Sequence, residues 1–329
     1  MRPVRPFVPR VPSPVVELVD DRLAAREVRV YLKRDDLIHP ELPGNKWRKL
    51  KYNLAAAAEQ GHRTLLTFGG AYSNHVRAVA AAGHYFGFAT VGVIRGEEHL
   101  PLNPVLSYSV AREMRLVYLD RTAYRARRES SVIDGLRRQY GDFYLIPEGG
   151  SNALALRGCA ELPGEIPFAF DHLCCAAGTG GTLAGLAIGL SGSERAAGLT
   201  GGQRGVGFSM AQRGVGFSGA QRAAGLGAGG RAIGFSALKG GGFLADEVRR
   251  LQRETGHVTD NWSIETGFHC GGYARRTAAL DAFVEDFRER HGVALDWVYV
   301  AKMMYGVFAL VRDGRFTPGS VVVAVVTGS

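Results

Sequence analysis

Short apolar runs alternate with segments of helical periodicity along most of the chain. The runs predict strands at residues 27–32, 64–68, 89–94, 115–118, 143–146, 171–176 and 320–326. The helical segments are 46–60, 74–82, 103–113, 130–140, 153–162, 244–254 and 277–291. Residues 1–14 are rich in Pro and Arg and predict an extended arm. Strands that alternate with helices across short turns predict a doubly wound α/β fold.

Composition indicates a globular protein with room for two domains. The chain has 329 residues, of which 46% are hydrophobic and 22% charged. A formal net charge of +9 raises the question of nucleic acid. Its arginines are spread widely, however, without the spacing of a helix-turn-helix or a zinc finger. A basic enzyme acting on small anionic substrates is therefore favoured, with no nucleic-acid partner.

Cysteine usage and hydropathy bear on the compartment. The four cysteines form no CxxC pair, which predicts reduced, mostly buried thiols and no metal site. The N-terminus is interrupted by prolines and lacks the apolar segment of a secretory signal. No apolar run reaches the length of a membrane span. These features predict a cytoplasmic protein without a membrane partner.

The stretch GNKWRKLKY, from Gly44 to Tyr52, carries the first chemical signal. Lys46 follows a Pro-Gly-Asn turn and opens a predicted helix, so its position is restrained. Arg48, Lys49 and Lys51 follow within two turns, and neighbouring positive charges lower the pKa of an amine. A partly buried Lys46 could then be a nucleophile at neutral pH. An ordinary helix start with solvated lysines is the alternative.

Two further loops and one acidic pair are candidates for function. Gly178, Thr179, Gly180, Gly181 and Thr182 join a predicted strand to a helix, where free backbone N–H groups can bind a phosphate. A tight turn for helix packing explains those glycines nearly as well. Asp35 and Asp36 could suggest a metal, but we favour their anchoring the turn that presents Lys46, by pairing with lysines and arginines, because no His or third acid accompanies them.

Residues 196–240 divide into five nonapeptides, AAGLTGGQR, GVGFSMAQR, GVGFSGAQR, AAGLGAGGR and AIGFSALKG. The last unit has the pattern of a core strand and turn, so the four before it (196–231) resemble a tandem expansion. A nine-residue period could form a β-solenoid. We instead predict a flexible surface excursion, because units so poor in large apolar residues offer little core.

Taken together, KRDDL (33–37), GNKWRKLKY and TFGGAYSNHVRAVAAAG (67–83) resemble the family that includes 1-aminocyclopropane-1-carboxylate deaminase and D-cysteine desulfhydrase. The resemblance runs from about residue 12 to the C-terminus. It implies a pyridoxal-phosphate enzyme of fold type II, similar to the tryptophan synthase β subunit, with two doubly wound open sheets and the cofactor in the cleft between domains. Residues 1–48 and 151–329 would form the large domain and 49–150 the small one. Relatives suggest a homodimer.

The resemblance also implies roles for individual residues. Lys46 would hold pyridoxal phosphate covalently and act as base on the substrate Cα. By the same resemblance, Asn74 would bond to the cofactor ring oxygen and Ser73 would hold the substrate carboxylate. The loop Gly178 to Thr182 would bind the phosphate, and Thr327 would lie beside the pyridine nitrogen. Tyr299 and Tyr273 would face the substrate. Core packing remains the alternative for both tyrosines, and His75 is expected to be a packed helix residue.

Position 300 bears on the substrate. At this point the cyclopropane-opening deaminases have a sequence that resembles YEGK, and the desulfhydrases have YTGK. This chain has Tyr299-Val300-Ala301-Lys302. The missing Glu argues against cyclopropane opening. We therefore predict a lyase that converts D-cysteine or a similar amino acid to pyruvate, ammonia and the leaving group. Alternatives are 1-aminocyclopropane-1-carboxylate deaminase and a catalytically impaired cofactor-binding protein, the latter because of VAK, the repeat, Val326 in place of a histidine, and the early stop.

Overall fold

The computed structural model describes residues 6–192 and 230–328, where two sheets form the framework. The larger sheet has six strands, in the order β1 (Val15–Leu18), β2 (Arg29–Arg34), β10 (Val321–Val326), β7 (His172–Ala177), β8 (Arg231–Ser236) and β9 (Trp262–Glu265). The smaller has four, in the order β5 (Met114–Leu119), β4 (Ala89–Arg95), β3 (Thr64–Gly69) and β6 (Tyr144–Ile146). All neighbouring strands are parallel except β1 and β2. The predicted α/β class is confirmed.

Helices connect these strands throughout the described ranges. They are α1 (Asp21–Ala24), α2 (Asn45–Glu59), α3 (Asn74–Phe86), α4 (Pro104–Ala111), α5 (Arg121–Arg125), α6 (Ser130–Tyr140), α7 (Ala153–Ala160), α8 (Gly181–Leu190), α9 (Leu244–Glu254), α10 (Ala278–His291) and α11 (Val300–Arg312). Every segment predicted to be helical overlaps one of these helices. The prediction did not assign α11, although the motif that precedes it was recognised.

The large sheet is covered on both faces, which explains the continuous apolar run of β10. Val321, Val323 and Val325 pack beneath α7, α8 and α9. Their neighbours Val322 and Ala324 point to the opposite face, beneath α10 and α11. Successive side chains of a strand alternate between faces, so a strand buried on both sides must be apolar at every position. The doubly wound arrangement follows from that burial.

The small sheet follows the same rule. Leu65 packs toward α2 and α3, whereas Leu66 and Phe68 pack toward α5 and α6. Helix α2 also contacts α7 so closely that a Cβ on Gly158 would lie 1.9 Å from the Arg48 carbonyl oxygen. Helix α2 therefore packs both on the core of the small sheet and on α7, which covers the large sheet. All four strands of the small sheet fall within residues 49–150, and the exact domain boundary stays a prediction.

The edges of the large sheet and the repeat differ from expectation. The prediction missed β1 and β9, the two edge strands. Both are only four residues long and partly exposed, so they lack the fully apolar pattern of the inner strands. The last repeat unit begins within β8, as its core pattern predicted. The four preceding units lie outside the described residues, apart from Gly230 and Arg231.

Candidate active site

The turn before α2 holds Lys46 against the end of the last strand. Gly44 has φ +60° and ψ −138°, a conformation that favours glycine. A Cβ on Gly44 would lie 2.1 Å from the carbonyl oxygen of Thr327. The backbone of this turn therefore packs directly on the residue that follows β10. The structure brings Lys46 and Thr327, far apart in sequence, to one place.

Lys46 is linked to the glycine loop through its neighbour Asn45. Lys46 Nζ donates to Asn45 Oδ1 at 2.7 Å, and Asn45 Nδ2 donates to Thr182 Oγ1 at 3.0 Å. Burial, followed by the positive charge of Lys49, lowers the pKa of Lys46 to about 8. Roughly a tenth of this amine is therefore neutral at about pH 7. The local charge run predicted this direction, but burial is the larger cause.

Arg48 and Lys51 do not supply the repulsion that the sequence suggested, because both are paired with carboxylates. Lys51 is ion-paired with Glu161. Arg48 is almost fully buried, and its Nε and Nη2 donate to Asp35 at 2.6 and 2.8 Å. It also donates to Glu165 at 2.7 and 2.9 Å. Only Lys49 of the three carries its charge toward Lys46.

A buried ion network anchors the turn from behind. Lys33 Nζ lies 2.7 Å from Glu165 Oε2, and Ser13 Oγ donates to Asp35 Oδ1 at 2.6 Å. Burial alone would raise the pKa of Glu165, but Arg48 and Lys33 together lower it to about 2. Asp36 pairs with Arg34 at 2.7 Å. Both aspartates therefore anchor the turn, as the sequence favoured.

The glycine loop after β7 has the form of an anion site. Helix α8 begins at Gly181, and Gly180 before it has φ +74°. A Cβ on Gly181 would lie 2.5 Å from Ser151 Oγ and 3.2 Å from Lys49 Nζ. Glycine thus allows a polar side chain and a cation to approach the start of α8. Free N–H groups at a helix start favour negative charge.

Lys49 is a candidate that the sequence reasoning used only as a charged neighbour. Its side chain is buried, and Nζ donates to the Gly149 carbonyl at 3.0 Å and to Ser151 Oγ at 3.2 Å. Among the described residues no carboxylate pairs with it. Burial lowers its pKa. The three-residue spacing from Lys46, which puts both lysines on one helix face, could have revealed it.

The loop after β6 joins the two sheets at this point. Ser151 Oγ and Thr179 Oγ1 lie 2.8 Å apart, and a Cβ on Gly149 would meet the Thr179 side chain at 2.8 Å. Gly149 has φ +66°, so only glycine fits here without strain. The carboxyl end of the small sheet thereby meets that of the large one. Ligands of open α/β sheets bind at such ends.

Ser73, Asn74 and His75 open α3 on the small-sheet side. Ser73 caps the helix, because its Oγ accepts from the Val76 amide at 3.3 Å. His75 is buried, and its Nε2 lies 2.9 Å from Thr67 Oγ1, which in turn donates to the Ile146 carbonyl at 2.9 Å. His75 Nε2 must then be the donor, which leaves Nδ1 an acceptor, and Nδ1 has no partner within the described structure.

The environment of His75 places the start of α3 near the two lysines. Burial, followed by the charges of Lys49 and Lys46, lowers the pKa of His75 to about 3. The imidazole is therefore neutral at physiological pH. Its ring also fills the space beside Gly150, where a Cβ would lie 2.8 Å from Cε1. His75 is a packed residue, as expected, but it packs within reach of the site.

Tyr299 and Tyr273 approach the glycine loop from the large-sheet side. Their ring centroids are 6.0 Å apart at 63°. A Cβ on Gly178 would lie 3.0 Å from Tyr299 Cε1. Burial, followed by Tyr273, raises the pKa of Tyr299. Val300, the first residue of α11, is by contrast completely buried in the core.

All four cysteines are free thiols. Cys159, Cys174 and Cys175 are buried free thiols and Cys270 is half-buried. In the ranges 6–192 and 230–328, no group of three or more His, Cys, Asp or Glu side chains could hold a metal ion. Within the same ranges no helix has both the length and the hydrophobicity to span a membrane.

Comparison with known proteins agrees with this geometry. A family model described as pyridoxal-phosphate dependent enzyme matches residues 10–328. A putative 1-aminocyclopropane-1-carboxylate deaminase of Pyrococcus horikoshii is 27% identical over 295 residues, covering 87% of this chain and 80% of the relative. A D-cysteine desulfhydrase of Yersinia pestis is 33% identical over 172 residues, or 49% of this chain and 52% of the relative. The crystal structure of an ACC deaminase homologue superimposes with a TM-score of 0.75 at 25% identity, covering 98% of this chain and 90% of that one.

The cofactor of the matched family is pyridoxal phosphate, and the residues present fit it. An aldehyde requires a neutral amine, which the lowered pKa of Lys46 provides. A phosphate requires positive charge and free N–H groups. Lys49 is a buried cation that no carboxylate neutralises in the described structure, and it stands beside the glycine loop that opens α8. The aldehyde and the phosphate of the cofactor therefore each have a complementary group in the site.

Proposed function

The chain belongs to the family of pyridoxal-phosphate dependent enzymes, within the group of 1-aminocyclopropane-1-carboxylate deaminases and D-cysteine desulfhydrases, and we propose that it is a lyase acting on D-cysteine. The reaction consumes one water and yields pyruvate, ammonia and hydrogen sulfide. The observation that carries the proposal is the pairing of Lys46, whose pKa is lowered to about 8, with the glycine loop that Lys49 faces.

We assign the following steps to the chain's own residues. Pyridoxal phosphate, when bound, would supply an electron-accepting ring that makes the substrate Cα proton more acidic. Lys46 Nζ takes that proton, and the released electron pair forms a Cα–Cβ double bond as the Cβ–S bond breaks. The sulfur leaves with its electron pair and accepts a proton. Hydrolysis of the remaining enamine then releases ammonia and pyruvate.

Positions around Lys46 support the binding roles. Ser73 and the first amides of α3 form a helix start that favours the substrate carboxylate. Asn74 is assigned to the cofactor ring oxygen and Thr327 to the pyridine nitrogen. The raised pKa of Tyr299 keeps its hydroxyl protonated, so Tyr299 can donate to the leaving sulfur, and Tyr273 orients it.

1-Aminocyclopropane-1-carboxylate deamination is the second candidate, because the relative from Pyrococcus horikoshii carries that name. Cyclopropane opening needs a proton donor or a nucleophile at a ring carbon. In the deaminases, whose sequence here resembles YEGK, a glutamate occupies the position of Val300. Val300 is an apolar residue in the core. D-cysteine has a leaving group of its own and does not need that glutamate, so we rank its elimination first. The third candidate is a cofactor-binding protein without turnover.

Absorption spectroscopy separates these candidates. Purified protein with pyridoxal phosphate should show a visible band that Lys46→Ala abolishes and Lys51→Ala retains, because Lys51 pairs with Glu161 away from the site. D-cysteine should change the band and release sulfide and pyruvate. Release of 2-oxobutanoate from the cyclopropane amino acid alone would favour the second candidate. A band without turnover of either would favour the third, and a band that survives Lys46→Ala would refute the assignment.

Assembly and compartment remain proposals. We propose a homodimer, because closed two-fold dimers are the commonest assembly among oligomeric proteins. We also propose a cytoplasmic location. Mass measurement in solution by light scattering, with a monomer as the contradicting result, tests the first. Fractionation of cells that express the chain tests the second.

A further inference from the structure

The loop that carries Tyr273 is held in an unfavourable backbone conformation. Cys270, Gly271, Gly272 and Ala274 have φ of +49°, +90°, +114° and +51°. Positive φ is unfavourable for residues other than glycine, so Cys270 and Ala274 are the strained positions. Such a loop keeps one conformation only if contacts from outside determine it. Tyr273 lies in the middle of this segment.

Lys302 provides such a contact. It is only 1% exposed, and its Nζ donates to the Gly272 carbonyl at 2.6 Å. No carboxylate pairs with Lys302 in the described part of the chain. Burying an ammonium group is costly unless it is hydrogen-bonded. An apolar residue would serve the core of α11 better, so packing alone does not account for a lysine here.

The bond couples the two tyrosines to one helix. Tyr299 stands immediately before α11, and its amide donates to Asp296 Oδ2 at 2.9 Å. Lys302 lies in the first turn of the same helix, and it holds the residue directly before Tyr273. The start of α11 therefore sets the position of Tyr299 through the backbone and that of Tyr273 through the Lys302 side chain. Their rings meet at 6.0 Å.

We propose that Lys302 is a positioning residue, whose hydrogen bond to the Gly272 carbonyl holds Tyr273 against Tyr299 for catalysis. Its proposed role is indirect, because its ammonium group bonds to the backbone directly before Tyr273. The kinetic part of this proposal rests on the proposed function, since it assigns Tyr273 to the substrate. The structural part, that Lys302 restrains the loop, stands without it.

The test compares holoenzyme variants by two independent readouts. Lys302→Met removes the donor and keeps the length of the side chain, and Met303→Leu controls for disturbance of α11 at a neighbouring buried position. Hydrogen exchange of the peptide spanning residues 266–276 reports the loop. We expect exchange at least about tenfold faster in Lys302→Met and unchanged in Met303→Leu. Affinity for pyridoxal phosphate should stay within about threefold of the unmodified protein, because the proposal has Lys302 act through Tyr273, which is assigned to the substrate.

Kinetics then show whether Lys302 acts through Tyr273. A displaced catalytic group costs up to about a hundredfold in rate. We expect Lys302→Met to lower kcat for D-cysteine by about ten- to a hundredfold with little change in KM. In the Tyr273→Phe background the same substitution should cost less than about threefold, because the two residues act in series. Full additivity would overturn the proposal, as would unchanged exchange or loss of cofactor binding.

Two outcomes are kept distinct by this design. If the unmodified protein turns over no amino acid, the proposed function fails, whereas hydrogen exchange still decides whether Lys302 holds the loop. If Lys302→Met does not fold, Lys302→Gln takes its place, because its amide nitrogen ends one bond short of the Nζ position and cannot keep the 2.6 Å bond to the Gly272 carbonyl. Exchange of the peptide spanning residues 266–276 should then be faster in Lys302→Gln than in the unmodified protein, and equal exchange in the two overturns the proposal.

Discussion

The lowered pKa of Lys46 leads to a quantitative prediction about its reactivity. Burial and Lys49 move this pKa from its ordinary value of 10.5 to about 8. At about pH 7, roughly a tenth of Lys46 is then neutral, against roughly 0.03% of an ordinary lysine, which is about a 300-fold difference. Because only the neutral amine attacks an aldehyde, Lys46 should react at neutral pH far faster than any solvated lysine of the chain.

Pyridoxal, which lacks the phosphate, measures this property without the phosphate site. Its attachment to cofactor-free protein can be followed by absorbance as a function of pH, with Lys46→Ala as the background. The rate should rise with pH as the amine loses its proton and level off above about pH 8. A midpoint near 10.5 would refute the argument that burial deprotonates this amine.

Two variants separate burial from charge in that assay. Lys49→Met removes the neighbouring positive charge, so the midpoint should move upward, but not as far as 10.5 because burial is the larger cause. Lys51→Met, on the same helix but paired with Glu161, should leave the midpoint in place. An equal shift in both variants would show that the effect is a general one of helix charge.

Three further predictions concern the phosphate, the turn and the ion network. Lys49→Met should weaken pyridoxal phosphate binding by about ten- to a hundredfold and pyridoxal binding hardly at all, whereas equal losses in spectral titrations would contradict the phosphate assignment. Gly44→Ala should cost about 3 kcal/mol or more in urea unfolding, because its Cβ would strike the Thr327 carbonyl; Gly61→Ala, also at positive φ but in open space, should cost only about 1 kcal/mol. Glu165 has a folded pKa of about 2, below its ordinary 4.5, so its contribution to stability is present above about pH 4.5 and is lost as the pH falls toward 2. Glu165→Gln should cost about 3–5 kcal/mol at neutral pH and flatten that acid dependence, and an unchanged acid profile would contradict it.

Local patterns explain why much of the framework was predictable. Strands β3, β4 and β10 are buried on both faces and read as apolar runs, and α2 begins at a Pro-Gly-Asn turn that is visible in the sequence. The edge strands β1 and β9 were missed because both are short and partly exposed, so neither forms a fully apolar run. Helix α11 was not assigned because it is buried along nearly its whole length and so forms an apolar run, which periodicity alone does not distinguish from a buried strand.

The candidate site also has one part that the sequence could predict and one part that it could not. Lys46, the SNH stretch and the glycine loop are short motifs, so sequence alone could select them. The sequence could not show which of the neighbouring basic residues affects the pKa of Lys46. The difference between Arg48 and Lys49 lies in their tertiary partners. Arg48 meets Asp35 and Glu165, whereas Lys49 meets a carbonyl and a hydroxyl.

The sequence by itself determined the α/β class, the inner strands and the family motifs, because each depends on neighbours along the chain or on a fixed short spacing. Only the tertiary structure decided that Thr327 packs on the turn of Lys46, that Lys49 faces the glycine loop and that Lys302 holds the loop of Tyr273. Those contacts join segments that are distant along the chain. Burial and partner identity, which set the pKa and orientation of each group, exist only once the sheets have packed.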